Sequence, residues 1–460
     1  MTEEEFALKI RNYMCCGLMA ALLAISVTGC GTDSDSSSAA YEDLVLGESY
    51  TDLKAKINVV TYRTDLISDN PNVRDFHDYM AEFNAIYPGI EVMFEGITDY
   101  DIDMSTRLSS GDWDVCSIPS STPKAEFSQY FDPLFTLDKY IDKYEFVDAQ
   151  VYEGTVYVIP VAGNGQGIVY NKKVFEEAGI TEIPKTPDDF IAALQKIKDN
   201  TDAIPLYTNY AARWTMGAWD YYCFGGATGD ADFHKNMATM ADPFSRNEER
   251  TGPYEVFNIL YQAVSQGLIE DDPYNTNWEM CKGRLNNGEI GCMALGSWAV
   301  PQMQDAGEHP EDIGYMPFPI TVNGVQYATA GGDYAYAVNI KCTDEKKIAA
   351  RLFIKFMIEQ SHFAYDQGGI PIVKGEAYPN VFADFENTVL IKDNTYGEGE
   401  TDLYNLVNTA SGLNLETDSD HVMRIVDAAY TGSESFEDIM NDWNAAWAEG
   451  QQEATVDVRN

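Results

Sequence analysis

Residues 167–180, GIVYNKKVFEEAGI, and residues 183–190, IPKTPDDF, decide the fold of this chain. The run Gly167–Tyr170 is short and apolar, which is typical of a buried strand. Thr186 then begins a helix as its N-cap, with Pro187 in the first turn and two acidic residues at the positive end of the helix dipole. A strand followed by a capped helix is the repeating unit of an α/β fold.

The same alternation of strand and helix runs through the rest of the chain. Ile57–Tyr62 predicts an opening strand, apolar residues at helical spacing lie between Val73 and Tyr87, and Ile90–Phe94 alternates like a second strand. Further strands are predicted at 114–118, 156–160, 291–296 and 335–340, and further helices after Thr343 and at 436–447. The length of 460 residues suffices for about three average domains or for two large lobes.

The charge of the chain excludes several classes of partner. It has 74 Asp and Glu residues against 30 Lys and Arg, a formal net charge of -44 at pH 7. Such a field repels phosphate backbones and anionic lipid headgroups, so we expect no nucleic-acid binding and no adhesion through a basic patch. A solvated acidic surface accounts for the charge without an acidic active surface.

The N-terminus is interpreted as an export signal. Two basic residues precede an apolar stretch at 14–27, which is too short to cross a bilayer and has the length of a signal-peptide core. The stretch closes in VTGC at 27–30, which resembles the bacterial lipobox. The resemblance implies that residues 1–29 are removed as a lipoprotein signal peptide and that Cys30 is lipidated, with residues 30–50 as a flexible tether. The expected location is extracytoplasmic, at the cell membrane.

Four segments in a fixed order resemble the extracellular solute-binding proteins of carbohydrate ABC importers (family 1), a family that includes the maltose-binding proteins. They are residues 167–187, the turn Leu295–Trp298, the crossing region Gly331–Tyr334 and Gly368–Pro371. Each motif is modest by itself, but their order and spacing together are specific. The resemblance covers the chain from about residue 57 to the C-terminus.

The resemblance implies a two-lobed periplasmic-binding-protein-like α/β fold, with crossing hinge strands and an interlobe cleft. It places the N-terminal lobe at 41–159 plus 320–370 and the C-terminal lobe at 160–319 plus 371–460. It also implies a monomeric receptor that binds a carbohydrate in the cleft and delivers it to membrane ABC permease subunits. We expect no cofactor, no metal site and no catalytic residue.

Sugar sites combine flat aromatic rings with fixed polar groups, because a sugar has an apolar face and many hydroxyls. Trp298 resembles the sugar-stacking tryptophan of the family, although a core tryptophan would look the same in sequence. The loop around Trp214 resembles the family's aromatic loop, and packing alone would also explain its rings. The other predicted ligand-binding residues, for which a turn or a packing role is the alternative, are Tyr62, Arg63, Asp65, Ser120, Ser121, Asn164, Tyr210, Arg213 and Asp333. Trp113 and Trp278 have no motif support.

Two other classes of function compete with a transport receptor. A secreted glycoside hydrolase needs two carboxylates across a sugar site, and no pair of acidic residues is singled out by the sequence. Sequence motifs for nucleophilic, zinc or phosphate chemistry are not present. A surface adhesin that binds glycans without transporting them is an alternative that the sequence leaves open. Such a protein would not require lobe closure, whereas a transport receptor does. The cysteines of the mature chain are interpreted as small buried apolar residues.

Overall fold

The computed structural model describes residues 39–67, 74–98, 100–119, 122–394, 396 and 401–459. The predicted signal peptide, the predicted lipidation site Cys30 and the predicted ligand contacts Ser120 and Ser121 lie outside the described residues. No helix of the described part of the chain is both long and apolar enough to cross a membrane.

The strands of the described residues are β1 Ala55–Thr61, β2 Ile90–Gly96, β3 Val115–Ser117, β4 Phe135–Thr136, β5 Val151–Tyr152, β6 Thr155–Val156, β7 Val158–Asn171, β8 Ile204–Leu206, β9 Ile290–Gly296, β10 Ile313–Met316, β11 Thr321–Val322, β12 Val325–Val338 and β13 Thr388–Ile391.

The α-helices are α1 Phe76–Ile86, α2 Tyr100–Arg107, α3 Phe127–Tyr130, α4 Lys172–Glu177, α5 Pro187–Asn200, α6 Trp214–Gly217, α7 Gly225–Thr228, α8 Phe233–Met237, α9 Pro253–Ser265, α10 Trp278–Asn286, α11 Ala299–Asp305, α12 Asp344–Glu359, α13 Phe363–Asp366, α14 Leu403–Ser411, α15 Asp420–Thr431 and α16 Phe436–Glu453.

The main sheet has the strand order β2-β1-β3-β12-β7-β9-β8, with β10 on β7 and with β11 and β13 on β12. Strands β1, β2 and β3 are mutually parallel, whereas β12 runs antiparallel to β3 and to β7. Non-sequential parallel neighbours joined through helices are characteristic of α/β architecture. The predicted α/β class is confirmed.

Strands β7 and β12 are long and connect the two ends of this sheet. The first half of β7 pairs with the end of β12, and its second half pairs with β9 and β10. The first part of β12 pairs with β13, and its last residues pair with β3. Each of these strands therefore belongs to both halves of the molecule, which is the crossing arrangement that the resemblance implied.

The sequence analysis predicted shorter strands here, at 156–160, 167–170 and 335–340, whereas the structure continues both strands through several glycines. In β7, other groups occupy the space that a side chain would need: a Cβ on Gly163 would lie 2.4 Å from the ring of Phe146, and one on Gly167 would lie 2.6 Å from the carbonyl oxygen of Met316. Glycine within a strand marks such close approaches.

The described residues form two large apolar cores, and β7 contributes residues to both. One packs α12 and α1 against β1 and β2, with the rings of Phe76 and Phe94 stacked at 4.0 Å. The other packs α9, α15 and α16 together, and the predicted apolar face of α16, which includes Trp443 and Trp447, is fully buried in it. Cys116, Cys223, Cys281 and Cys292 are buried free thiols and Cys342 is partly buried, in agreement with their interpretation as packing residues.

Candidate functional site

The crossing strands form a polar floor made of Asn164, Gly331 and Asp333, which we call the cleft floor. In the β7–β12 ladder Gly331 pairs with Asn164, and Asp333 pairs with Ala162. Because side chains alternate along a strand, these positions share one face of the ladder. A Cβ on Gly331 would meet nothing within 4 Å. The floor therefore faces open space.

Asn164 is oriented by the turn after β9. Its Oδ1 accepts hydrogen bonds from Ser297 N at 2.9 Å and from Ser297 Oγ at 3.0 Å. This orientation leaves the amide nitrogen to donate elsewhere, and Gly296 makes room for it: a Cβ there would lie 2.5 Å from Asn164 Nδ2 and 2.6 Å from Trp298 Nε1. The side chain of Asn164 and the indole of Trp298 are thus side by side over a residue that has no side chain.

Asp333 is held by one of its two oxygens. Tyr334 N donates to its Oδ1 at 2.8 Å and the Tyr62 hydroxyl donates to the same oxygen at 3.1 Å. Burial raises the pKa of this carboxyl, and the bonds from Tyr334 and Tyr62 and the charge of Arg63 act in the opposite direction. Asp333 is half-buried, and its Oδ2 accepts no hydrogen bond from the residues that the structure describes, so this oxygen can accept one from a hydroxyl.

Tyr62 forms the wall of the site on the side of β1. Its ring lies 5.6 Å from the rings of both Tyr100 and Tyr334, and 36% of the residue is exposed. The aromatic neighbours fix the ring, while its exposed part is available to a ligand. The hydrogen bond to Asp333 links this wall to the cleft floor.

Three indoles form a second wall, on the side of Asn164. The ring centroid of Trp214 lies 5.0 Å from that of Trp278 and 5.8 Å from that of Trp298, and the last two are 5.9 Å apart. We call these residues the tryptophan cluster. Trp214 is 43% exposed and the other two are half-buried. Core tryptophans of this chain, such as Trp443, are almost wholly buried, so the cluster differs from packing residues in presenting ring surface to solvent.

Trp278 was missed by the sequence reasoning. It begins α10 after Asn277, whose side chain accepts from Met280 N as the N-cap. Lys282, one turn later, lies 4.9 Å over the Trp278 ring. A capped helix start is visible in sequence, but the contact of Trp278 with the other two indoles is made only by tertiary structure.

Tyr221 follows closely after the aromatic loop around Trp214 that the resemblance singles out. It is 40% exposed between two buried aromatics, Trp219 and Tyr222. Burial of its hydroxyl and nearby carboxylates, Asp333 among them, raise the pKa of Tyr221.

Arg63 and Asp65 lie at one edge of the cleft. The Arg63 guanidinium donates from Nε and Nη2 to Asp65 at 2.8 and 2.7 Å, and from Nη2 to Gln367 Oε1 at 2.6 Å. It also lies 4.6 Å over the ring of Tyr334. Although burial opposes it, the bonds from Arg63 hold the pKa of the Asp65 carboxyl below its usual range, with a smaller contribution from Lys282. The remaining nitrogen, Nη1, is buried and has no hydrogen-bond partner among the described residues.

A cavity of about 1040 Å³ adjoins this edge and is lined by Arg63, Asp65 and Lys282 together with Pro301 and Gln367. It does not include the tryptophan cluster. Its inner tyrosines, such as Tyr315, are buried, whereas the cluster offers exposed ring faces beside the cleft floor. The cluster thus combines an apolar platform with polar groups beside it, a combination that is common in small-molecule sites.

Tyr210 and Arg213 do not join the tryptophan cluster. The Tyr210 hydroxyl donates to Asp427 Oδ1 at 2.8 Å, and the Arg213 guanidinium forms an ion pair with Asp420. Both residues line a separate pocket of about 320 Å³ against α15. Of the loop singled out in sequence, only Trp214 reaches the other indoles.

One group of side chains outside the cleft has metal-ligand chemistry. His309, Glu311 and Asp312 each offer a ligand atom within 4.8 Å of the others, and the first two are exposed. Exposed acidic groups commonly lie together without an ion, so this group by itself does not define a metal site.

The crossing strands and the open polar floor between aromatic walls define a two-lobed binding protein. Comparison with known sequences agrees, since the family profile for bacterial extracellular solute-binding proteins matches residues 70–361. The chain belongs to this family.

Individual relatives are binding proteins. A multiple sugar-binding protein of Streptococcus mutans is 28% identical over 316 residues, which is 64% of this chain and 71% of that protein. A manno-oligosaccharide specific solute-binding protein of Bifidobacterium animalis subsp. lactis, solved with mannotriose, is 40% identical, with a TM-score of 0.86 over 90% of this chain and 99% of that one. A second binding protein of an ABC transporter from the same organism, solved with mannobiose, is 42% identical, with the same TM-score and coverage.

Proposed function

We propose that this protein is an extracytoplasmic receptor that binds a manno-oligosaccharide at the tryptophan cluster and delivers it to an ABC permease. The supporting relatives are about 40% identical over nearly their full length, and their solved complexes contain mannobiose and mannotriose. The family is extracellular by description. The receptor performs no chemistry on its ligand.

The observation that carries the proposal is the position of three partly exposed indoles beside the cleft floor. A hexose stacked on the cluster would bring hydroxyls toward the free amide of Asn164 and the spare oxygen of Asp333. Tyr62 would close the site from the other wall. Micromolar affinity needs only about -8 kcal/mol, which a few stacking and charge-assisted contacts supply after ordering costs.

The proposal includes the hinge. The lobes are taken as 41–159 plus 320–370 and 160–319 plus 371–460, with β7 and β12 between them. A ligand that touches both walls favours the closed form in proportion to its differential affinity, and the permease recognises that form. Anchoring by lipid on Cys30 would keep this monomeric receptor near the permease.

Gly331 offers a direct test of the site. Because a Cβ at this position meets nothing within 4 Å, Gly331→Ala and Gly331→Val should fold normally, with urea midpoints close to that of the wild type. The added carbon atoms would occupy the space above the cleft floor. We expect mannotriose affinity, measured by isothermal titration calorimetry, to fall stepwise from glycine to alanine to valine.

Gly324→Ala is the matched control, since a Cβ there also meets nothing within 4 Å but the residue lies in the turn before β12. Its positive φ will lower stability slightly, and mannotriose affinity should stay unchanged. If the mannotriose affinity of Gly331→Val were unchanged, the ligand would not bind at the cleft floor. Chromatography of mannotriose after long incubation with the wild type tests the absence of chemistry, and release of mannose would contradict it.

A further inference from the structure

An aromatic strip continues from the tryptophan cluster along the surface of the molecule. Two short segments, Tyr210–Trp214 and Tyr274–Trp278, each carry a tyrosine and, four residues later, a tryptophan. The two tryptophan rings lie 5.0 Å apart and the two tyrosine rings 5.2 Å apart. Ala211 N donates to Thr276 Oγ1 at 2.9 Å and holds the segments together. The segments therefore pair at both ends, with indoles at the cleft and phenols away from it.

The strip extends beyond the tyrosine pair. The ring of Tyr430, on α15, lies 5.7 Å from that of Tyr274. Tyr274 is 50% exposed and Tyr430 is similarly exposed. Neither ring contributes to the apolar cores, and a packing role does not account for their exposure. Tyr210 is buried, with 6% exposed, so Tyr274 and Tyr430 supply the exposed ring surface of the strip.

A fixed hydroxyl acceptor lies beside this row. Asp427 Oδ1 accepts from the Tyr210 hydroxyl at 2.8 Å and from the Tyr274 hydroxyl at 2.9 Å. No hydrogen bond to Asp427 Oδ2 is made by the residues that the structure describes. The carboxylate is half-buried in the pocket of about 320 Å³ that Tyr210 and Arg213 also line. Two phenols thus orient one oxygen and leave the other for a ligand.

The charges of the pocket favour a neutral ligand. Its two cations are already paired, Arg213 with Asp420 and Arg424 with Glu434. Asp427 adds an acidic group that no cation of the pocket neutralises. An anionic ligand would be repelled, whereas a neutral sugar can stack on the rings and donate a hydroxyl to the carboxylate.

We infer that the aromatic strip is an outer binding site for the further hexose residues of oligosaccharides that are longer than the cleft holds. This inference rests on the proposed function, because the strip begins at the tryptophan cluster. It makes the receptor selective for chain length: short ligands use the cleft alone, and longer ones gain affinity from Tyr274, Tyr430 and Asp427.

Calorimetric titration of the purified chain with mannotriose and with mannohexaose tests the inference. The wild type should bind mannohexaose more tightly. Tyr274→Ala should weaken mannohexaose binding about three- to tenfold, the effect of one aromatic contact, and leave mannotriose binding unchanged. Asp427→Asn keeps the shape of the side chain and should weaken only mannohexaose as well. Tyr50→Ala removes an equally exposed ring elsewhere and should change neither affinity.

The outcomes separate the two proposals. If the wild type binds both sugars with equal affinity, or if Tyr274→Ala and Asp427→Asn weaken both sugars alike, the outer site is wrong and the cleft stands. If neither sugar binds, the proposed function is wrong and the outer site is overturned with it. A selective loss of mannohexaose affinity in both variants supports the outer site.

Discussion

Replacement of Trp298 by alanine separates a binding role from a packing role. The indole contacts two other rings, at 5.8 and 5.9 Å, and is only half-buried. Each aromatic pair contributes about 0.5–1.5 kcal/mol, so the unliganded variant should lose about 1–3 kcal/mol of unfolding free energy. Loss of the stacking surface should cost about 2 kcal/mol of binding free energy, which is about thirtyfold in Kd.

The assay pairs urea denaturation of the unliganded protein with calorimetric titration by mannotriose. Trp447→Ala is the matched control, because Trp447 is fully buried in the core of α16 and its Nε1 donates to Met237 O at 3.1 Å. That variant should lose about 3–5 kcal/mol of stability and keep its ligand affinity when folded. If Trp298→Ala instead matched Trp447→Ala in lost stability and kept its affinity for mannotriose, Trp298 would be a core residue and the reasoning about the cluster would fail.

Two further substitutions test the geometry and the electrostatics. Gly296→Ala would place a Cβ 2.5 Å from Asn164 Nδ2 and 2.6 Å from Trp298 Nε1. The two side chains would have to move, so we expect calorimetry to show weaker mannotriose binding. An unchanged affinity would contradict a role of this contact in binding. Burial raises the pKa of the Asp393 carboxyl to about 6, although a hydrogen bond from Gly225 N acts in the opposite direction. The folded state therefore binds this proton more tightly than the unfolded state. Its free energy of unfolding falls as the pH rises from about 4 to 6 and stays lower above pH 6. In urea denaturation, Asp393→Asn should therefore be more stable than the wild type by about 1–3 kcal/mol at pH 7.5 and equally stable near pH 4. A stability difference that does not change with pH would contradict the raised pKa of Asp393.

Local patterns predicted much of the fold. The helix caps at Thr186 and Thr343 begin α5 and α12 as expected, with side-chain bonds to Asp189 N and Lys346 N. The continuity of β7 through its glycines was not predicted, because these glycines are explained only by the groups that crowd them. Those groups, such as the Phe146 ring against Gly163, come from distant parts of the chain.

The candidate site, too, could be predicted only in part from local sequence patterns. The floor residues Asn164 and Asp333 lie in motifs and were predicted from them, but the exposure of Gly331 beside them is a property of the assembled ladder. The loop after Asn209 shows why residues that are adjacent in sequence lie in different parts of the structure. Asn209 and Arg213 both have positive φ, at 55° and 61°, where L-residues are rarely found. The chain turns sharply at each, so Arg213 pairs with α15 while Trp214 joins the indoles.

The position of the site on the crossing strands has a consequence for transport. Contacts to the cleft floor are made in any lobe arrangement, since the floor belongs to both halves, and so they add affinity without favouring closure. On the proposed function, the groups whose distance from the ligand changes with lobe motion contribute differential affinity. Tyr62 is hydrogen-bonded to Asp333 of the floor, so we expect the wall residues Trp214 and Trp278 to supply this contribution. A shift from 1:99 to 99:1 needs about 5.5 kcal/mol of such differential binding. The wall of the tryptophan cluster would therefore set signalling to the permease, and the floor would set retention of the sugar.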